Sequence, residues 1–465
     1  MATAAQKLAE PPTLWTRARQ TLFGSRLRQN MVRSVGLSVI AAGVAASSYP
    51  LYLHFLGYRT YGLWLVLSSV IAFSQLGNLG LSQAVAKQIA EENARGNFLG
   101  IKECVSTASA MISISGALLV ALVTALRPFV VHLLGVRGPE VATSLAILPF
   151  IACLSVYLFL TDLSNNVLNG LGRIDLCNAC NLCSQSLTLV ISIPLLLRHA
   201  NVWSLLIATT AAYASTHLLS NILARRISGA PLYSLKAISL SRAKALLSFG
   251  SWMLGSSMLN MLISPVNRTL LARYGSLSIV PIYDIGMNAA GRLRSLVEVG
   301  HKALSTEVSR LCALPTQDAQ RKISDLVRKS TRPVIVMSVP VIVALLVIGT
   351  PLKLWLGSRF VPEITTAVRI MVLANYLSLF ATPAYYVLIG RGRARDIFLH
   401  FLIQCCVNFA IVGGLISFSG NLSASGATSA CAVAVALSAG FLIWREKRAA
   451  RAPNHVDGVA SATSL

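Results

Sequence analysis

The residue types best suited to chemistry lie on one polar line within an apolar stretch, between Val280 and Leu304. At about 100° per residue, this stretch predicts a helix with one polar side. The polar side consists of Asp284, Asn288, Gly291, Ser295, Glu298 and Lys302, with Arg292 and Arg294 beside it. Because a charged side chain that faces lipid costs several kcal/mol, the polar side is expected to face protein or a water-filled cavity.

Arginine is the residue type that would give such a cavity its chemistry. A guanidinium group offers five donors in a planar fork and keeps its proton when desolvated, so it suits phosphate or pyrophosphate. The candidates for binding such a substrate are Arg292, Arg294 and Arg268, together with Asn288 and Arg369. For Arg369, which lies early in its apolar segment, the alternative is that it snorkels outward.

The carboxylates of this region allow a second reading. The arginines would then pair with Asp284 and Glu298 and lock the helix in place. Arg292 is eight residues from Asp284 and six from Glu298, so pairing along the helix at i,i+4 does not satisfy it. Asp284 and Asp162 are also candidates for carrying a coupling proton or sodium ion, and either could instead be an arginine partner or a helix-end group.

The composition identifies a membrane protein with many spans. Hydrophobic residues make up 55% of the chain, charged residues only 12%, and the mean hydropathy is +0.66. The net charge of +24 comes from Lys and Arg residues that lie mostly in short loops between apolar segments. There they set the topology and attract anionic lipid, so nucleic acid is not an expected partner.

Segments of about 20 apolar residues predict twelve membrane spans. They are residues 34–55, 62–84, 104–126, 141–163, 176–197, 202–223, 247–271, 279–304, 334–355, 364–388, 397–417 and 425–444. Most of the 40 Lys and Arg residues fall in the termini and the even-numbered loops. Both termini are therefore predicted to be cytoplasmic.

Three landmarks recur in the two halves of the chain in the same order. The motif Val-Leu-x-Gly-x-Gly-Arg occurs at 167–173 and 387–393, and Leu-Gly-x-Arg occurs at 134–137 and 356–359. Pro50 in the first span likewise has a counterpart in Pro265 in the seventh. Because each pair falls on the same side of the membrane, the halves are predicted to be parallel six-helix bundles related by a pseudo-two-fold axis along the membrane normal. The fold class is thus an all-α integral membrane protein.

The predicted domain boundaries follow from this repeat. A basic, amphipathic segment at the cytoplasmic surface (1–33) precedes an N-terminal bundle (34–226), an exposed cytoplasmic linker (227–246), a C-terminal bundle (247–444) and a disordered cytoplasmic tail (445–465).

Sequence signatures of catalysis are missing. The chain has no phosphate-binding Gly-rich loop, no nucleophile elbow and no zinc-protease pair. Cys177, Cys180 and Cys183 share one predicted helical face, but no histidine or carboxylate triad accompanies them, which favours helix packing over a metal site. We therefore expect a carrier with no cofactor rather than an enzyme.

The stretch from Pro50 to Leu81, PLYLHFLGYRTYGLWLVLSSVIAFSQLGNLGL, resembles the first two spans of polysaccharide transporters in the multidrug/oligosaccharidyl-lipid/polysaccharide exporter superfamily. The shared features are a proline, a Leu-Gly pair, an aromatic Gly-Leu-Trp turn and a second Leu-Gly element. The glycine-arginine turns at 170–173 and 390–393 are similar to the same family, as is Tyr283 followed by Arg292.

This resemblance implies a flippase of the bacterial inner membrane. Its substrate would be an undecaprenyl-pyrophosphate-linked oligosaccharide, such as an O-antigen or exopolysaccharide repeat unit, moved from the cytoplasmic to the periplasmic leaflet. A polysaccharide polymerase and a chain-length regulator would be its protein partners.

Three other classes fit the sequence less well. A drug or cation antiporter of the same superfamily would place acidic residues in the cavity, whereas this predicted cavity is rich in arginine. A major facilitator transporter would carry a Gly, Asp and Arg-rich loop after the second span, where this chain has AKQIAEENARGNFLG. A membrane glycosyltransferase or polymerase would have large periplasmic loops, and the predicted ones are short.

Overall fold

The computed structural model describes residues 26–75, 81–228, 234–247, 251–312 and 317–451, and within these ranges the protein contains helices and no strands. The α-helices are α1 Arg26–Leu67, α2 Ser69–Gln75, α3 Leu81–Ala94, α4 Phe98–Ala125, α5 Arg127–Leu133, α6 Glu140–Gly170, α7 Ile174–Arg198, α8 Val202–Ser228, α9 Leu240–Leu247, α10 Ser251–Tyr274, α11 Val280–Cys312, α12 Gln317–Val336, α13 Ser338–Val347, α14 Gly349–Leu356, α15 Pro362–Leu379, α16 Thr382–Gly390, α17 Ala394–Ser419 and α18 Ala424–Arg451. Short 3-10 turns lie at Leu235–Ala237, Leu277–Ile279 and Gly357–Arg359.

In the described ranges, eight helices are long and apolar enough to cross a membrane. The count is nine when α15 and α16, which are bent by 45° relative to each other, are taken as one span. These helices establish a multi-pass membrane protein. Each of the twelve predicted spans overlaps a helix, but α10 and α11, which carry most of the candidate site residues, are not among the eight. The first two predicted spans are separated by a kink at Gly57, whose φ of 68° and ψ of 174° suit glycine.

One hydrophobic core joins the two halves of the chain at the end of the helices near Gly57, which we call the Gly57 end. Its buried members from both halves include Leu53, Tyr61, Leu134, Leu271, Leu277, Val280 and Leu352. The charge distribution predicts that this end faces the periplasm. Burial of apolar side chains from both halves stabilises their contact there.

At the opposite end, near Gly172, the described residues form separate cores. The core of the first half includes Ile89, Ile101, Leu163 and Leu168. The second half has its own clusters there, one with Leu304, Val308, Leu311 and Ile323 and another with Leu388 and Leu442. The halves therefore share an apolar core at the Gly57 end and keep distinct cores at this Gly172 end.

Gly62 lies at a close approach between the backbones of the two halves. A Cβ atom added there would lie 1.8 Å from the Leu277 carbonyl oxygen and 3.3 Å from Pro281 Cδ. We expect Gly62→Ala to force the halves apart at the Gly57 end and to destabilise the protein by about 1–3 kcal/mol, as overpacking does. A lower melting temperature of the purified protein would be the measurement.

The matched control for this substitution is Gly43→Ala in the same helix. A Cβ atom on Gly43 meets nothing within 4 Å. Gly43→Ala is expected to leave the melting temperature unchanged or slightly higher, because alanine favours helix over glycine. Equal melting temperatures for Gly62→Ala and Gly43→Ala would contradict the close approach.

The sequence predicted an exposed connection between the halves. In the structure, part of this connection packs against the first half. In its described part, Arg242 Nη2 lies 2.8 Å from Glu92 Oε1, and Arg242 Nε lies 3.5 Å from Glu103 Oε2. Glu92 is buried, which by itself raises its pKa, but hydrogen bonds from Arg242 and Asn97 hold the pKa below its usual value. A buried carboxylate needs such a partner, so α9 docks on α3 and α4, with Leu246 in their core.

The predicted tail also begins later than expected. Helix α18 continues to Arg451, and Arg445 Nε donates a hydrogen bond of 2.9 Å to Asp396 Oδ1. Residues 1–25 and 452–465, which include most of the predicted amphipathic segment and the rest of the tail, lie outside the described residues.

Candidate functional site

Asp284 is the centre of a buried polar network that links the two halves. Only 1% of Asp284 is exposed, and it forms an ion pair with Arg268 of α10. The Tyr49 hydroxyl of α1 donates a hydrogen bond of 2.6 Å to Asp284 Oδ2, and Asn288 Nδ2 donates another of 3.1 Å. Side chains of three helices therefore meet at one carboxylate. They supply the counter-charge and the hydrogen bonds that a charge removed from water requires.

Aromatic rings surround this network. The Tyr49 ring lies 6.1 Å from the rings of both Tyr61 and Trp355, measured between centroids. Their packing keeps the ion pair dry and fixes the Tyr49 hydroxyl against Asp284. Arg268 Nε is buried without a hydrogen-bond partner in the described structure. The candidate substrate residue Arg268 and the candidate ion carrier Asp284 are thus brought together as partners of each other.

Arg292 occupies a different environment, a cleft between α1 and α11. The cleft has a volume of about 260 Å³, and its α1 wall consists of Tyr49 and three small residues, Ala42, Ala45 and Ala46. Asn288 and Arg292 are the polar residues of the α11 wall. Arg292 is exposed, and its guanidinium makes no hydrogen bond or ion pair with any side chain in the described ranges. It lies roughly 18 Å from the start of α11, at about 1.5 Å per residue.

Arg294 faces a larger cavity within the second half of the chain. Its Nε donates a hydrogen bond of 2.6 Å to Glu298 Oε1, and both side chains are about a quarter exposed. The cavity measures about 360 Å³ and is lined by residues of α10, α11 and α15–α18. The polar side of α11 is therefore divided: Asp284 is locked in protein, Asn288 and Arg292 line the cleft, and Glu298 lines the cavity.

Two predicted site residues lie away from both spaces. Arg369 donates hydrogen bonds of 2.8 and 3.0 Å to the carbonyl oxygens of Leu345 and Leu346, at the end of α13. Asp162 lies in α6, in the first half, where Asn166 Nδ2 donates a bond of 3.2 Å to its Oδ1. Neither residue shares a lining with Arg292 or Arg294 in the described structure.

Sequence reasoning missed several polar residues that the fold brings into contact. Tyr49 contacts Asp284 although 235 residues separate them. Asn267 and Asn408 exchange two amide hydrogen bonds, of 3.2 and 3.0 Å, between α10 and α17. The Arg294–Glu298 pair, in contrast, agrees with the second reading of the sequence, in which the arginines pair with Asp284 and Glu298.

Residues 54–365 match the family model described as polysaccharide biosynthesis protein. The chain belongs to this family. The match covers more than half of the chain and includes Arg268, Asp284, Arg292 and Arg294. No curated protein sequence matches the chain. The predicted relation to polysaccharide transporters is confirmed at the level of the family.

Solved structures of transporters are similar to this chain over nearly its whole length. An inward-facing multidrug resistance MATE family transporter of the MOP superfamily aligns with a TM-score of 0.66 and 14% identity, over 90% of this chain and 94% of that one. An outward-facing MATE family transporter aligns with a TM-score of 0.63 and 15% identity, over 93% of this chain and 98% of that one. A MOP superfamily transporter from Pyrococcus furiosus aligns with a TM-score of 0.62 and 14% identity, over 93% of this chain and 97% of that one. The fold is therefore that of the MOP superfamily.

Proposed function

We propose that this membrane protein is a flippase that moves an undecaprenyl-pyrophosphate-linked oligosaccharide, such as an O-antigen or exopolysaccharide repeat unit, across the bacterial inner membrane. The observation that carries the proposal is Arg292, an exposed guanidinium without a described partner on a helix of the membrane domain. An unpaired arginine among helices that cross a membrane is costly unless an anion or water meets it. A diphosphate satisfies the guanidinium with charge-assisted hydrogen bonds.

The difference in packing between the two ends of the protein suggests how the proposed transport cycle works. The halves share a core at the Gly57 end and have separate cores at the Gly172 end. With cytoplasmic termini and two six-helix bundles, this is an inward-facing state, and rocking of the bundles would open the Gly57 end. The diphosphate binds Arg292, the glycan enters the polar space between and within the bundles, and the polyprenyl chain stays in lipid. These steps need no catalytic group.

Reconstitution tests this function. The purified chain is placed in proteoliposomes with the lipid-linked oligosaccharide that accumulates in cells lacking it, and glycan exposure is followed with a membrane-impermeant glycosidase or lectin. We expect crossing at least tenfold faster than in protein-free liposomes. Movement of a cationic dye without movement of the lipid-linked glycan would instead identify a drug exporter of the same fold.

A further inference from the structure

The cavity beside Arg294 is lined by polar side-chain groups that make no hydrogen bond with the described residues. Gln404 is 6% exposed, and its carboxamide makes no hydrogen bond with any residue in the described ranges. The same holds for the hydroxyl groups of Tyr385 and Tyr386, which line the same cavity. Buried polar groups in folded proteins almost always have partners. These side chains therefore present hydrogen-bonding groups to the cavity, which water or a ligand can satisfy.

The charge of the cavity selects a neutral partner. Arg294 and Glu298 neutralise each other through one bond of 2.6 Å, which uses one of the five guanidinium donors. The remaining donors of Arg294 and the second oxygen of Glu298 are available to a ligand that both accepts and donates hydrogen bonds. A free ion of either sign would be attracted by one member of the pair and repelled by the other. A hydroxylated, uncharged ligand would not.

The shape and the remaining lining favour a sugar ring. Asn260 and Gln404 add planar amide groups, each of which can pair with two neighbouring hydroxyls, and Tyr385 and Phe401 add flat apolar faces. Asn375 also lines the cavity, but its Nδ2 already donates a hydrogen bond to the Met371 carbonyl oxygen. Sugar rings combine hydroxyl edges with apolar C–H faces. At about 360 Å³, the cavity is at the lower end of the roughly 300–1,000 Å³ of small-molecule pockets, which suits one or two rings.

Gly291 connects this cavity with the arginine of the cleft. It is exposed, it lines the cavity, and a Cβ atom built on it meets nothing within 4 Å. The next residue in the chain is Arg292, which lines the cleft on the α1 side. A diphosphate held by Arg292 would thus place the first sugars of an attached glycan at the mouth of the cavity.

From these contacts we infer that the cavity lined by Arg294, Glu298, Gln404 and Tyr385 is a binding subsite for one or two neutral sugar rings of the transported glycan. This inference rests on the proposed function and adds to it the place where the glycan is recognised. The lipid-diphosphate part of the substrate is held elsewhere, at Arg292.

The test compares binding of two probes to the full-length protein in nanodiscs. One probe is undecaprenyl pyrophosphate that carries the oligosaccharide accumulated in cells lacking the chain, and the other is undecaprenyl pyrophosphate without sugar. The wild-type protein is expected to bind the glycosylated probe about tenfold more tightly. Gln404→Leu, which keeps the side-chain size but removes the amide, is expected to abolish this preference and to leave the affinity for the bare diphosphate unchanged.

A second variant keeps the test independent of folding defects at Gln404. Gly291→Leu projects into open space, so it fills the cavity mouth without a clash and is expected to reduce glycan binding about tenfold as well. The matched control is Gln185→Leu, the same change at a glutamine of α7 in the other half, outside the lining of the cavity. It should retain the wild-type preference.

The outcomes separate the subsite from the function. Equal wild-type affinities for the two probes, or an unchanged preference in Gln404→Leu and Gly291→Leu, would show a cavity filled by water only and overturn the subsite, while the lipid-diphosphate function would stand. Failure of the wild-type protein to bind either probe would overturn both.

Discussion

Arg292→Ala is expected to stop glycan export while the protein remains inserted and abundant. The guanidinium is proposed to hold the substrate diphosphate through two charge-assisted hydrogen bonds, each contributing about 1.5–3 kcal/mol. The transport rate should therefore fall by at least roughly 100-fold. Because Arg292 is exposed and has no described partner, its removal breaks no contact that the fold needs. Surface polysaccharide and protein level would be measured in the same cells.

Two further substitutions identify the chemistry at this position. Arg292→Lys keeps the positive charge but loses the planar fork, so it should restore only part of the export. Arg198→Ala removes an exposed arginine at the end of α7, which also has no described partner, and should export normally. Full export by Arg292→Ala would remove the proposed diphosphate site, and loss of the protein from the membrane would assign Arg292 a structural role.

The positions of the helices followed from the sequence because they depend on local composition. Apolar segments must span the bilayer, and the spacing of Asp284, Asn288 and Glu298 predicted one polar side of α11. The same local rule explains the Arg294–Glu298 pair, whose i,i+4 spacing is plain in the sequence. These features depend on residues within one helix, so a single sequence contains the information.

The sequence offered Asp284 as a partner for the arginines, but it did not show which arginine would reach it or that Tyr49 would join them. Asp284 pairs with Arg268 and Tyr49 because α1, α10 and α11 converge there, and that convergence depends on the packing of the whole domain. Gln404 was not predicted as a site residue, because a single amide in an apolar helix belongs to no recognisable sequence pattern. The cavity was expected between the halves, and the larger one lies within the second half, since α10 and α15–α18 enclose it.

Arg268→Leu is expected to destabilise the protein by about 3–5 kcal/mol, because it leaves Asp284 buried without its counter-charge. Asp284 is 1% exposed, so water cannot replace the lost guanidinium. The double variant Arg268→Leu with Asp284→Leu removes both charges and should regain most of the loss, since paired apolar residues tolerate this environment. Melting temperatures of the wild type, both single variants and the double variant would form a double-mutant cycle.

Substitution of Tyr49 tests whether the Asp284 network holds the two halves together or is only a local ion pair. Tyr49→Phe removes the hydrogen bond of α1 to Asp284 but leaves the Arg268–Asp284 pair, so it should destabilise by only about 1–3 kcal/mol. If the network holds the inward-facing state, Tyr49→Phe should also raise the labelling of a cysteine placed in the shared core at the Gly57 end by an external thiol reagent. Additive effects of Arg268→Leu and Asp284→Leu would contradict the coupling, and unchanged labelling in Tyr49→Phe would confine the network to structural support.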